Sequence, residues 1–150
     1  MGMLELYKWG LPNQGAHLNR YQDYEQLYNM ARSFWASLDS AAIYFMLVFI
    51  IAGLSLACFY YYGYNKWPGR KYKIWHWVMW LLITSGVAFL ATFILGNLIV
   101  SSNLQEKVGF LVRLSLINGI YGMFVYFIAS LVICNLPVPT NAFRFLKFGK

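Results

Sequence analysis

The chain reads as an all-α, polytopic integral membrane protein, with three transmembrane helices preceded by an amphipathic interfacial helix. Three observations predict this class. First, 60% of its 150 residues are hydrophobic and 11% are charged, against about 45–50% and about 25% in ordinary soluble domains. Second, the charged residues leave three long gaps, at positions 40–65, 74–105 and 114–143, each longer than the roughly 20 residues that cross bilayer hydrocarbon. Third, aromatic residues crowd one end of two gaps, as Phe59 to Tyr62 with Tyr64 and as Trp75, Trp77 and Trp80. That is the belt expected where a helix meets the membrane surface. A chain this small and this apolar has no interior large enough to hide its surplus, which excludes a soluble enzyme.

Residues 1–39 form the expected N-terminal unit, and 40–150 the transmembrane unit. Gly2, Gly10, Pro12 and Gly15 give residues 1–16 the character of an irregular leader studded with Tyr7 and Trp9. From Leu18 a helical period begins, with Tyr21, Tyr24, Tyr28, Ala31, Trp35 and Leu38 on one stripe and Arg20, Asp23, Glu25, Gln26 and Arg32 elsewhere. Such a stripe suits a helix lying in the headgroup region. Asp39 and Ser40 then offer side-chain oxygens to cap a new helix, the first span, over about 41–62. Gly63, Asn65, Pro68 and Gly69 supply turn chemistry.

The second span covers about 74–100. Along it Thr84, Ala88, Thr92 and Gly96 recur every four residues, a row of small side chains on which another helix can pack closely. The third span covers about 111–136 and closes at Pro137 and Pro139. Ser115, Asn118 and Gly122 share one of its faces, with Gly119 beside them, and Asn97 adds an amide near the end of the second span. This polar face could line a pore shared between copies, or make hydrogen bonds inside a dry interface.

Three spans place the N-terminus and second loop on one side, and the first loop and tail on the other. The first side holds Lys8, Arg20, Arg32, Lys107 and Arg113 together with all the acids; the second holds Lys66, Arg70, Lys71, Lys73, Arg144, Lys147 and Lys150. The Lys/Arg excess assigns the second side to the cytoplasm, leaving the N-terminus outside in a multi-pass protein of the cytoplasmic membrane. The net charge of +7 is expected to meet anionic lipid headgroups rather than nucleic acid. Lys66, Arg70, Lys71, Lys73, Arg144 and Lys147, with Arg113 at the other surface, are the candidate docking residues for lipid or a partner.

No Asp, Glu, Lys or His falls at the centre of any gap, where proton relays and ion-coupled carriers place such groups. Neither a phosphate loop nor a nucleophile elbow is present. Cys58 and Cys134 sit in apolar runs as packing residues, and neither His17 nor His76 has a second ligand at metal spacing. The expectation is therefore no cofactor, no metal and no catalysis. The N-terminus has neither the pattern of a cleaved signal peptide nor that of a myristoylation site. The functional expectation is a non-catalytic subunit that anchors or completes a larger membrane complex for secretion, translocation or transport. Its partners would be the bilayer and other subunits or copies of itself. The alternative is a homo-oligomeric pore or channel, including a membrane-permeabilising effector, and a membrane enzyme or carrier ranks last.

Overall fold

Long apolar stretches without proline give helices that end only where turn residues intervene. The computed structural model describes residues 6–64, 73–100, 104 and 106–136, and among these it is all helix and connecting turn, with no strand. The elements are α1 (Gln14–Asn19), α2 (Glu25–Cys58) running into a π-helical turn (Phe59–Gly63), α3 (Ile74–Ile99) and α4 (Lys107–Cys134). Helix α1 is started by Asn13, whose side-chain oxygen accepts from the Gly15 amide at 3.1 Å. Helix α3 is started at Lys73, whose amide donates to Nδ1 of His76 at 3.1 Å, so His76 caps a helix.

Two expectations about the N-terminal unit are corrected. The stripe from Leu18 to Leu38 is broken, because α1 stops at Asn19 and α2 starts at Glu25. The expected boundary at Asp39 and Ser40 is absent: both lie exposed within α2, and the Ser40 hydroxyl donates to the Ser37 carbonyl at 2.9 Å. The reason is local. No proline and no glycine before Gly53 interrupts residues 25–58, and a serine whose hydroxyl bonds back to the preceding turn is tolerated within a helix. Helix α2 thus runs for 34 residues, about 51 Å at the α-helical rise.

Helix α4 is central. It packs antiparallel to α3, with Gly96 meeting Leu111 and Ala88 meeting Gly122, and parallel to α2, where Gly53 meets Val125. Two apolar clusters occupy the two ends of the bundle. One joins Tyr7, Leu11, Phe34, Trp35, Phe45, Phe110 and Leu114. The other joins Ala57, Tyr60, Tyr61, Trp77, Tyr126 and Ile133. The second corrects the aromatic belt: Tyr60, Tyr61 and Trp77 are buried, while Phe59, Tyr62 and Trp75 are exposed.

Helix α2 with its π turn, α3 and α4 are each long and apolar enough to cross a membrane. Their outward faces carry exposed Leu47, Ile51, Leu82, Leu90, Ile94 and Phe124. Coverage is uneven, with 44% of the most apolar window of α4 buried but only 17% of that of α3. Exposed polar side chains on these faces bond to their own helix: Ser55 to the Ile51 carbonyl and Asn97 to that of Phe93.

The approach of α2 to α4 rests on Gly53. A Cβ there would lie 2.6 Å from Val125 Cγ1, 2.7 Å from its Cβ and 3.0 Å from the Tyr126 backbone nitrogen. Gly53→Val is expected to cost about 1–3 kcal/mol through overpacking, measured as a lower midpoint in thermal unfolding of the detergent-solubilised protein. Gly86→Ala faces open space and should leave the midpoint unchanged or slightly raised; equal losses in both variants would refute the close contact.

Candidate functional site

The most connected polar group in the bundle is the side chain of Asn118, fully buried on α4. Its Nδ2 donates to Oγ1 of Thr92 on α3 at 2.8 Å and to the Phe45 carbonyl on α2 at 3.0 Å. Its Oδ1 accepts from the Tyr7 hydroxyl of the leader at 2.9 Å. An asparagine amide has two N–H donors and one carbonyl acceptor, and here each donor and the acceptor are engaged, by three different segments. One turn further on, the Tyr121 hydroxyl donates to the Leu6 carbonyl at 2.6 Å and accepts from the Trp9 indole N–H at 2.7 Å.

A second node lies toward the start of α4. The buried His17 ring is surrounded edge-on by Tyr21, Trp35 and Phe110. The Trp35 indole, which can only donate, bonds to His17 Nδ1 at 3.1 Å. Nδ1 is therefore the acceptor, which leaves the proton on Nε2. Nε2 then donates to Oε2 of Glu106 at 3.0 Å. Arg20 Nη1 lies 3.9 Å from the other Glu106 oxygen, an exposed contact of small energetic weight. The histidine ties α1 to α2 and to the residue that starts α4.

The residues singled out from the sequence divide clearly. Thr84, Ala88, Thr92 and Gly96 are all buried on α3, and Thr84 and Ala88 face Gly122. Ser115, Asn118 and Gly122 are buried inside the bundle of a single chain, and the Ser115 hydroxyl has no hydrogen-bond partner among the described residues. Asn97 is exposed elsewhere and bonds to its own helix, so it does not join that face. Lys73 and Arg113 are exposed at opposite ends of the bundle. Lys66, Arg70, Lys71, Arg144 and Lys147 lie outside the described residues.

Tyr7, His17, Trp35 and Glu106 complete these nodes, and sequence reasoning did not find their roles. Tyr7 pairs with a residue 111 positions away and His17 with one 89 away, so no local spacing signals either bond. Chemically, the Asn118 node consists of neutral amide, phenol and hydroxyl groups, suited to holding segments together. Among the described residues, no three His, Cys, Asp or Glu side chains gather as a metal site. Comparison with protein-family models, with curated proteins and with solved structures found no match.

Tyr7→Phe would strand a buried acceptor on Asn118, at a cost of about 1–3 kcal/mol. Asn118→Leu would strand the Tyr7 hydroxyl and release α2 and α3 as well, and should cost more. The double variant is expected to be more stable than the sum of the single losses predicts, because neither orphan remains. Strict additivity of the unfolding midpoints would show that the two side chains act independently.

Proposed function

We propose that this protein is a non-catalytic integral membrane subunit that anchors or completes a larger membrane complex. The observation that carries this reading is where the polar chemistry goes. Asn118, Tyr121, His17 and Trp35 spend their hydrogen bonds on joining the leader, α1, α2, α3 and α4 to one another. Beyond these internal joints the chain presents apolar helix faces, broadest on α3. Contiguous apolar exposure on this scale is the mark of a membrane or partner surface, and exposed serine and asparagine side chains folded back onto their own carbonyls suit hydrocarbon. The pore reading draws less support. Its lumen would use either Ser115, Asn118 and Gly122 or Thr84, Thr92 and Asn97; the first three and both threonines are buried in contacts within one chain, and exposed Asn97 bonds to its own helix.

In this reading α2, α3 and α4 span the cytoplasmic membrane, with the N-terminus outside and the C-terminus in the cytoplasm, as the Lys/Arg distribution directs. The basic first loop and tail face anionic lipid headgroups or a cytoplasmic partner. Ala16→Cys should then react with an impermeant thiol reagent in intact cells and Gly69→Cys should not; the reverse pattern inverts the topology. The function itself is tested by the mass and composition of the particle extracted gently from its native membrane. Other polypeptides in stable ratio are expected. A closed ring of identical chains would replace the subunit reading with the pore.

A further inference from the structure

We propose that the segment Leu6–Leu11 is an embedded wedge that lies within the hydrocarbon layer against α4, with its outer surface against lipid acyl chains. The proposal rests on the membrane reading above and adds a fourth embedded element to its three spans.

Depth is the first argument. The segment contacts α4 well inside its apolar stretch: Tyr7 at Asn118, Gly10 at Ile117, and Leu6 and Trp9 at Tyr121; Asn118 in turn bonds Thr92 on α3 and Phe45 on α2. On α4, Asn118 and Tyr121 lie five and eight residues beyond Arg113, the last charge before the apolar stretch, or about 8 and 12 Å at the helical rise. On α3, Thr92 lies seven residues before the helix ends at Ile99, or about 10 Å. On α2, Phe45 lies six residues beyond Asp39, or about 9 Å. The three helices agree on the level, and half a hydrocarbon core is about 15 Å. Helical side chains lean toward the N-terminus, so the leader sits somewhat shallower than the α4 positions it touches.

Polar satisfaction is the second argument. Irregular backbone is tolerated at that depth only where its polar groups are paired and packed against protein. The amides of Gly10 and Leu11 both donate to the Tyr7 carbonyl, at 3.1 and 2.9 Å, and the Leu6 carbonyl accepts from Tyr121. Pro12 follows and has no N–H to satisfy. Tyr7 and Leu11 are buried against the bundle.

Trp9 is the sharpest case. It is 61% exposed, yet its one polar atom is turned inward onto Tyr121, leaving bare hydrocarbon outward. Leu6 on the same segment, Tyr44 on α2 and Leu116 on α4 are exposed as well. Lys8 is exposed between Leu6 and Trp9 in the chain.

The test uses the full chain with Cys58 and Cys134 replaced by alanine, in phosphatidylcholine nanodiscs that leave both membrane faces accessible. Single cysteines are placed at Leu6, whose part in the network is its backbone carbonyl, at Ala16 as the aqueous reference, and at Leu90 on the bare face of α3. Each is treated with a charged, impermeant maleimide. Each is then labelled with a fluorophore and mixed with lipid carrying a nitroxide on the acyl chain.

Leu6→Cys is expected to react at least tenfold more slowly than Ala16→Cys and to be quenched by the acyl-chain nitroxide, as is Leu90→Cys. Adding Tyr7→Phe to Leu6→Cys should raise its reaction rate toward that of Ala16→Cys. Leu6→Cys reacting as fast as Ala16→Cys, or escaping the nitroxide, while Leu90→Cys stays protected overturns the wedge and leaves the spans standing. Fast reaction at Leu90→Cys overturns the membrane reading, and the wedge with it.

Discussion

Everything in this fold is indexed to the Asn118 amide. Apolar helices can slide and rotate against one another at modest cost, because one hydrocarbon contact resembles the next. A buried amide removes that freedom, since each of its groups must find a partner or remain orphaned at a cost of about 1–3 kcal/mol. Here the partners are a hydroxyl on α3, a carbonyl on α2 and a phenol in the leader. One side chain therefore fixes the rotation of three helices and the position of the leader segment against them. The small residues do complementary work: Gly53, Gly96 and Gly122 let the helices come close enough for short side chains to reach across.

The His17 node applies the same logic at the end of the bundle. With Trp35 donating to one ring nitrogen, the tautomer is determined, and the remaining N–H is aimed at Glu106. The leader is thus held at two levels, by Tyr7 within the bundle and by the histidine of the helix that follows it. The Asn118 node is built from neutral groups, and the His17 node ends on the half-exposed carboxylate of Glu106.

Much of the fold was legible in the sequence. Gaps between charges placed three apolar helices, and the four-residue recurrence of Thr84, Ala88, Thr92 and Gly96 marked residues that are all buried. Three kinds of information were not legible. Bonds such as Tyr7 to Asn118 join positions 111 apart, and nothing local distinguishes an asparagine awaiting a lumen from one awaiting a phenol. Aromatic clusters have two stable destinations, boundary and core, and Tyr60, Tyr61 and Trp77 went to the core while Trp75 did not. Asp39 and Ser40 carry the chemistry of a helix start, but a cap forms only where the preceding residues leave the helix, and Ser37 and Leu38 do not. The leader's Gly and Pro content marks turns over residues 6–13, but it misses the helix that begins at Gln14 and takes in Gly15, and it says nothing of where that backbone lies.

The unbroken course of α2 has a mechanical consequence. A helix continuous from Glu25 to Cys58 transmits tilt as a rigid rod. Its Phe45 carbonyl is tied to Asn118, so that point is a fulcrum. Trp35, clasped to His17, lies ten residues to one side, and Tyr60, just beyond the helix end, lies fifteen to the other. At the helical rise these arms are about 15 and 22 Å. A small displacement imposed on the His17 end would arrive at the tyrosine cluster reversed in direction and enlarged by about half. Gly53, packed against Val125, lies on the far arm, between Phe45 and Tyr60.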